Sequence, residues 1–106
     1  LPAHSGAGEE ACFIDPVADA SGMCTCGVLN PGLGVALRIR FKKEQLPCLT
    51  NWQHWGLREY VTGLEPGTHY PTGQRQARQD GTLIFLEPGA SQKMELIIDA
   101  QTIHQK

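Results

Sequence analysis

The chain has 106 residues, of which 41% are hydrophobic and 19% are charged, and its formal net charge is −2. This length and composition fit one modest globular domain. The near-neutral charge gives no electrostatic reason to expect nucleic acid or a membrane surface as a partner, no apolar run is long enough to span a bilayer, and no secretory signal is visible, so we expect a cytoplasmic protein.

The first half of the chain predicts an arm followed by strands. Residues 1–11 are small and polar without periodicity, which predicts a flexible arm ahead of a β-sandwich domain over residues 12–106. Met23–Leu29 is a short apolar run that ends at the turn residues Asn30-Pro31-Gly32. Residues 35–42 then alternate between apolar and mostly basic side chains. Period two over eight residues predicts a half-buried strand with a basic outer face.

The middle of the chain predicts two strands and a loop. Leu46–Trp55 and Tyr60–Leu64 are rich in apolar and aromatic residues and lie on either side of a short connection. Residues 66–81 contain three glycines and two prolines. This composition predicts a long surface loop, and loops of that length are usually functional or mobile.

The last part of the chain predicts a hairpin between Thr82–Leu86 and Lys93–Ala100. The residues between them include Pro88 followed by Gly89, which fit the two central positions of a type II turn. Met94, Leu96 and Ile98 are the predicted buried face of the last strand, and Ile97 on the other face suggests that this face is covered too. Several short strands with regular turns predict an all-β, antiparallel β-sandwich, complete or part of a larger one.

The cysteines do not have the spacing of a metal site. The four are Cys12, Cys24, Cys26 and Cys48. Cys24 and Cys26 would share one face of a strand, and neither a Cys-x-x-Cys nor a His-x-x-x-His pair occurs. We interpret the thiols as reduced and mostly buried and expect no metal. No phosphate-binding glycine loop or nucleophile elbow is present either, and we expect no cofactor.

The tetrapeptide Leu-Glu-Pro-Gly occurs at 64–67 and again at 86–89. The second copy lies between two predicted strands, so Glu87 most simply precedes a hairpin turn. The first copy follows a strand and opens the long loop, with Gly63 before it. A glutamate beside glycine at a strand end can project into a cleft where another group approaches closely. Glu65 is therefore the candidate catalytic residue.

Aromatic and polar side chains are concentrated around Glu65. Trp52, His54, His69 and Arg75 are the candidate substrate contacts, with Trp55, Tyr60 and Tyr70 nearby. Rings beside carboxylate, imidazole and guanidinium groups suit a sugar, whose C–H faces stack on rings while its hydroxyls need donors and acceptors. The alternative is structural: each tryptophan could be core, and each histidine could be a surface residue.

Four motifs carry a resemblance to a known superfamily. They are Gln45-Leu46-Pro47-Cys48-Leu49-Thr50-Asn51-Trp52, Tyr60-Val61-Thr62-Gly63-Leu64-Glu65-Pro66-Gly67-Thr68, Gly81-Thr82-Leu83 and Leu86-Glu87-Pro88-Gly89. Over about Asp15 to Asp99 the chain resembles the C-terminal portion of the aldose 1-epimerase-like (galactose mutarotase-like) superfamily. It is closest to an uncharacterised bacterial branch, a domain of unknown function. The resemblance implies a large β-supersandwich of which this chain supplies the last third.

The resemblance also implies a role for Glu65. In the mutarotases a glutamate on a late strand takes the proton from the anomeric hydroxyl, a histidine protonates the ring oxygen, and the opened aldehyde rotates before the ring closes. Glu65 matches that glutamate, and the family's histidines precede this segment. Pro66 and Gly67 replace the Thr-Gln-like residues that usually follow the glutamate, so substrate and reaction can differ.

Three functions therefore stay open at the level of sequence. The first is an epimerase-type domain that acts on a sugar through Glu65. The second is a carbohydrate-binding β-sandwich without catalysis. The third is an assembly fragment, for which we expect a homodimer through strand edges, because an incomplete sandwich leaves unpaired backbone there.

Overall fold

The computed structural model describes residues 7–103, which form six strands and one short helix. In chain order the elements are β1 (Ala7–Ile14), β2 (Met23–Asn30), β3 (Val35–Lys42), β4 (Cys48–Gly56), β5 (Glu59–Gly67), α1 (Gln74–Asp80) and β6 (Leu96–Thr102). The strands make two three-stranded sheets: sheet A, with the order β1-β4-β5, and sheet B, with the order β2-β3-β6. The ladders are antiparallel, so the predicted all-β antiparallel sandwich is confirmed. In the described part of the chain no helix is long and apolar enough to cross a membrane.

A small core lies where the two sheets meet. Phe41 on β3 is completely buried, and Cys24, Ile39 and Leu46 pack around it. Leu64 of β5 packs against this cluster from sheet A. The inner face of sheet A is therefore the one that carries Leu64, and side chains of opposite parity point outward.

The inner face of sheet B extends beyond the part that sheet A covers. An apolar groove of about 510 Å³ separates the sheets there and is lined by residues such as Val28, Leu37 and Ala100. Leu96 and Ile98 of β6, predicted to be buried, are 50% and 62% exposed. Ile97 on the outer face is 49% exposed. The alternation of apolar and polar residues predicts the strand β6 correctly. Its apolar face, however, has no covering layer among the described residues.

The predicted N-terminal arm is partly wrong. Residues 7–11 form the first part of β1 and pair with β4 from Ala7↔Gly56 to Ala11↔Trp52. Their small and polar side chains carry no strand pattern of their own, and the strand conformation comes from backbone pairing with β4. Residues 1–6 lie outside the described residues.

The predicted terminal hairpin is wrong, although its turn is correct. The amide of Ala90 donates to the carbonyl of Glu87 at 2.9 Å, and Gly89 has φ 79°, as a type II turn requires. Residues 82–86 are not a strand. β6 pairs instead with β3, from Val35↔Thr102 to Phe41↔Leu96, where Arg38 also forms a 3.1 Å ion pair with Asp99. A long-range partner therefore replaced the local one.

The predicted loop over residues 66–81 contains structure at both ends. β5 continues through Gly67, and residues 74–80 form α1. The helix has seven residues and buries only Ala77, so it is too short to show a helical repeat in the sequence. It ends at Gly81, whose φ of 74° suits a left-handed cap that bonds back to Ala77 and Arg78.

The four cysteines are all free. Cys24 and Cys26 lie on the inner face of sheet B, opposite Phe41 and Ile39, as their spacing predicted. Burial is the main cause that raises the pKa of the Cys26 thiol, so this thiol packs as a small apolar group. Cys12 is exposed, which differs from the expectation of mostly buried thiols.

Candidate functional site

The hairpin between β4 and β5 fixes the register of the candidate site. Its two-residue connection, Leu57–Arg58, has a positive φ of 63° at its second residue, Arg58, where a type II turn has a positive φ. The resulting ladder sets Trp52 opposite Gly63 and Thr50 opposite Glu65. Side chains directly opposite each other lie on the same face of a sheet. Trp52 and Glu65 therefore lie on one face although 13 positions separate them in the chain.

That face points away from the core, because Leu64 lies on the other face and packs inward. On the other side of β4, the register with β1 places Glu9 opposite His54 on this outer face as well. We call the set Glu9, Trp52, His54, Gly63 and Glu65 the outer platform.

Two rings and one carboxylate of the outer platform interact directly. The rings of Trp52 and His54 are stacked, with centroids 6.0 Å apart and planes 12° apart. The indole Nε1 of Trp52 donates a hydrogen bond of 2.8 Å to Oε1 of Glu9. Both rings are half-buried, and both glutamates are exposed. The platform thus offers an aromatic surface with carboxylates in solvent.

Gly63 is the reason that Glu65 can lie close to the indole. A Cβ added to Gly63 would lie 3.1 Å from Oε1 of Glu65 and 3.6 Å from Cε3 of Trp52. A side chain at this position would press against the carboxylate, and glycine avoids that contact. The glycine before the first Leu-Glu-Pro-Gly copy predicted that Glu65 projects into a cleft, whereas the side chain lies exposed on a sheet face.

Polar side chains on the inner face hold the same stretch of backbone. The Nδ2 of Asn51 donates to the carbonyl oxygen of Gly63 and to Oγ1 of Thr62, both at 3.0 Å. Gln53 donates in turn to Oδ1 of Asn51 at 3.1 Å. These bonds tie β4 to β5 directly beneath the platform. They are not predictable from the sequence, because nothing local marks two alternate polar residues on a strand as partners of the next strand.

Tyr70 fastens the segment that follows Glu65. Its hydroxyl donates to the carbonyl oxygen of Ile14 at 2.8 Å, and its ring stacks on Phe13 with centroids 4.9 Å apart. Burial, and then the neighbouring Cys48, raise the pKa of Tyr70. Burial also raises the pKa of the Cys48 thiol. The chain beyond β5 is thereby attached to β1 at the edge of sheet A.

A lysine and an aspartate join the strand connections near Tyr70. The Nζ of Lys43 lies 2.5 Å from Oδ1 of Asp15 and also bonds the carbonyl oxygen of Pro16. The bond to Asp15 is the main cause that raises the pKa of Lys43. This ion pair joins the connection that follows β1 to the connection between β3 and β4.

The other predicted site residues lie outside the platform. His69 is exposed two residues after the end of β5. Arg75 lies on α1, where it lines a separate shallow depression with Arg78. The structure therefore places Glu65, Trp52 and His54 of the predicted set on one face, and the functional roles of all five residues remain predictions.

The second tryptophan of the aromatic cluster lies on the opposite face. Trp55 pairs with Gly8, and a Cβ on Gly8 would lie 2.0 Å from the Trp55 Nε1, so the indole lies flat on that glycine. Tyr60 pairs with Trp55 on the same inner face. Trp55 and Tyr60 are thus structural neighbours of the site, and Glu9 is the platform residue that the sequence analysis missed. Among the side chains that the structure describes, no three of the His, Cys, Asp and Glu groups could hold a metal ion.

The chain has recognisable relatives. The family model described as "Domain of unknown function (DUF4432)" matches residues 1–100. None of the curated proteins matches the chain. The crystal structure of a "putative aldose 1-epimerase" from Klebsiella pneumoniae subsp. pneumoniae matches 91% of this chain, with a TM-score of 0.78 and 33% sequence identity. The chain spans 25% of that protein, so it is similar to a portion of a mutarotase-like structure.

Proposed function

The chain belongs to the DUF4432 family, and from this premise we propose that it is the sugar-handling portion of an aldose 1-epimerase-like domain. In this proposal Trp52 and His54 contact the sugar and Glu65 is the general base. The protein similar to it in structure is named a "putative aldose 1-epimerase", and the chain corresponds to a quarter of that protein's length.

One observation carries the proposal: Glu65 lies over Gly63 beside the indole of Trp52 on an open sheet face. An indole face can stack on the C–H face of a sugar ring, and a carboxylate at its edge can accept the proton of a hydroxyl. The exposed position of Glu65 leaves room for a ligand to approach. Neither group would suffice alone, because an isolated glutamate or tryptophan on a strand is common.

The proposed chemistry moves two protons. Glu65 takes the proton of the anomeric hydroxyl as the bond between C1 and the ring oxygen breaks, and an acid donates a proton to that oxygen. Rotation of the aldehyde and the reverse steps close the ring as the other anomer. The resemblance implies that the acid is a histidine from the part of the family domain that precedes this segment. A positioned general base contributes a factor of roughly 10² to 10⁴ to the rate.

The test follows the optical rotation of freshly dissolved α-D-glucose or α-D-galactose with the wild-type chain, Glu65→Gln and Glu87→Gln. Glu65→Gln is expected to remove the protein-dependent rate while the fold survives, and Glu87→Gln is expected to keep it. Equal rates in all three proteins would contradict catalysis by Glu65 in this chain alone and would leave sugar binding without catalysis.

A second candidate is sugar binding without catalysis. It is favoured by the match to a quarter of the solved relative, because the implied acid lies outside this segment. Quenching of tryptophan emission by either sugar, with no change in the rate of anomerisation, would support this alternative. The absence of quenching by either sugar would exclude both the epimerase-type function and sugar binding without catalysis.

A third candidate is assembly, and here we propose a homodimer in which a second copy covers the edge of sheet B. The observation that favours it is the apolar inner face along the edge strand β6, where Ile98 is 62% exposed. A two-fold axis brings one such face against its equivalent. Sedimentation should give a dimer that Ile98→Glu dissociates, whereas Ile97→Glu, which alters the opposite face, leaves it intact. A monomeric wild type would contradict the dimer.

A further inference from the structure

Glu9 and Glu65 lie near different edges of the same indole, and Glu9 is hydrogen-bonded to it. Oε1 of Glu9 accepts the Nε1 hydrogen of Trp52 at 2.8 Å. The carboxylate of Glu65 lies over Gly63, next to the six-membered ring at Cε3. Glu9 comes from β1 and Glu65 from β5, so three strands contribute to one ring environment.

The bond to Glu9 determines which part of Trp52 a ligand can use. An indole has a single N–H donor, and here a carboxylate already accepts it. Hydrogen bonds to an ionised acceptor are shorter and about twice as strong as neutral ones. A ligand can therefore contact the ring face of Trp52, but the indole N–H is already used in the bond to Glu9.

The same bond restricts rotation of the ring. Trp52 is held at Nε1 by a hydrogen bond to Glu9, and one face of its ring is stacked on His54. Glu9 itself lies opposite His54 in the ladder. A ring fixed before the ligand arrives loses less conformational freedom on binding, which improves affinity.

We propose that Glu9 is a positioning residue, which holds the indole of Trp52 in the orientation that accepts the face of a sugar. This inference rests on the proposed function of the outer platform. Glu9 acts through Trp52, so its removal should weaken binding without removing the base.

The chain offers a matched control for this role. Glu10 is the next residue and is also exposed, but it lies on the opposite face of β1, paired with Gln53. Replacing Glu10 changes the net charge by the same amount as replacing Glu9. Of these two glutamates, Glu9 contacts the indole of Trp52.

The experiment uses the full chain with Trp55→Phe, so that Trp52 is the single tryptophan. Glu9→Ala, Glu9→Gln and Glu10→Ala are made in this background and titrated with D-glucose and D-galactose. Glu9→Ala should weaken the binding of the sugar that quenches by roughly tenfold, the value of one hydrogen bond to a charged group. It should also shift the emission and lower the anisotropy of Trp52 without sugar. Glu9→Gln keeps a carbonyl acceptor and should restore most of both properties, and Glu10→Ala should change neither.

The outcomes separate this inference from the proposed function. No quenching by either sugar in the Trp55→Phe parent would overturn the proposed function and the positioning role together. Quenching in the parent with unchanged affinity in Glu9→Ala would overturn the positioning role alone. If Glu9→Gln lost as much affinity as Glu9→Ala, the hydrogen-bond account would be contradicted, because the glutamine keeps the acceptor.

Discussion

The two copies of Leu-Glu-Pro-Gly in this chain have identical residues and different structures. In the first copy all four residues belong to β5, with Leu64 packed towards the core and Glu65 beside Trp52. In the second copy Leu86 is 58% exposed, and Glu87 opens a type II turn. The difference comes from the neighbouring strand. β4 pairs with the first copy along its whole length, and no described strand pairs with the second.

The proline in each copy fits its own context. Pro66 lies on β5, an edge strand of sheet A, opposite Leu49, where a missing N–H is tolerated. Pro88 lies at the first central position of the turn, where its fixed φ is an advantage. A tetrapeptide therefore does not determine its own role, and long-range pairing assigns it.

The largest expected stability difference between the copies concerns their leucines. Leu64→Ala should lower the free energy of unfolding by about 2 kcal/mol, the low end for a buried leucine, since the side chain is only half-buried. Leu86→Ala should change it by less than about 0.5 kcal/mol, as expected for an exposed site. Urea denaturation followed by circular dichroism measures both. Equal losses would mean that the second copy packs against something too.

The fold was predictable where local pattern and pairing agree. Alternation predicted β3 over residues 35–42, and Asn30-Pro31-Gly32 marked the turn before it. β1 could not be predicted, because Ala7–Ala11 form a strand only by pairing with β4. The partner of β6 could not be predicted either, since a local hairpin and a pairing with β3 suit the same alternation.

The site was predictable in part for the same reason. The two-residue spacing of Trp52 and His54 placed both rings on one face, and Gly63 marked the close approach of Glu65. Glu9 was not predicted, because it lies in the part of β1 whose small and polar residues predict a flexible arm. Arg75 was grouped with the site by sequence distance, and the helix α1 carries it to a depression of its own.

The glycines of the two regions should respond oppositely to alanine. Gly63→Ala would place a methyl group 3.1 Å from the Glu65 carboxylate, so that side chain must move. Sugar binding should weaken by roughly tenfold, as when one charged hydrogen bond is lost, with stability nearly unchanged. A Cβ on Gly89 would meet no atom within 4 Å, but the φ of 79° at this position is one that alanine rarely adopts. Gly89→Ala should cost about 1–2 kcal/mol of stability and leave sugar binding intact.

Fluorescence titration and urea denaturation of the two variants provide these four values. Loss of stability in Gly63→Ala without loss of binding would reverse the assignment of site and turn.

The smallest expected effect concerns the tyrosine that fastens the chain after the first copy. Tyr70→Phe keeps the ring stack on Phe13 but removes the bond to Ile14, which should cost about 0.5–1 kcal/mol. Because the folded pKa of Tyr70 is raised above its ordinary value of 10.0, the folded state holds this proton more tightly than the unfolded chain does. Its contribution is complete below pH 10.0 and falls as the pH rises towards the folded pKa.

Urea denaturation between pH 8 and pH 11 tests this dependence. The wild type should lose more stability than Tyr70→Phe over the upper part of the range. Parallel curves for the two proteins would show that Tyr70 is not protected by folding.

The most direct measurement of the central claim is a sugar titration of the ¹⁵N-labelled wild-type chain, followed by NMR. We expect the indole N–H of Trp52 and the backbone amides of Gly63 and Glu65 to shift in a saturable way. The amides of Glu87 and Gly89, which have the same local sequence, should stay in place. Shifts at Gly89 equal to those at Gly63, or saturable shifts confined to other parts of the chain, would contradict the assignment of the outer platform as the sugar site.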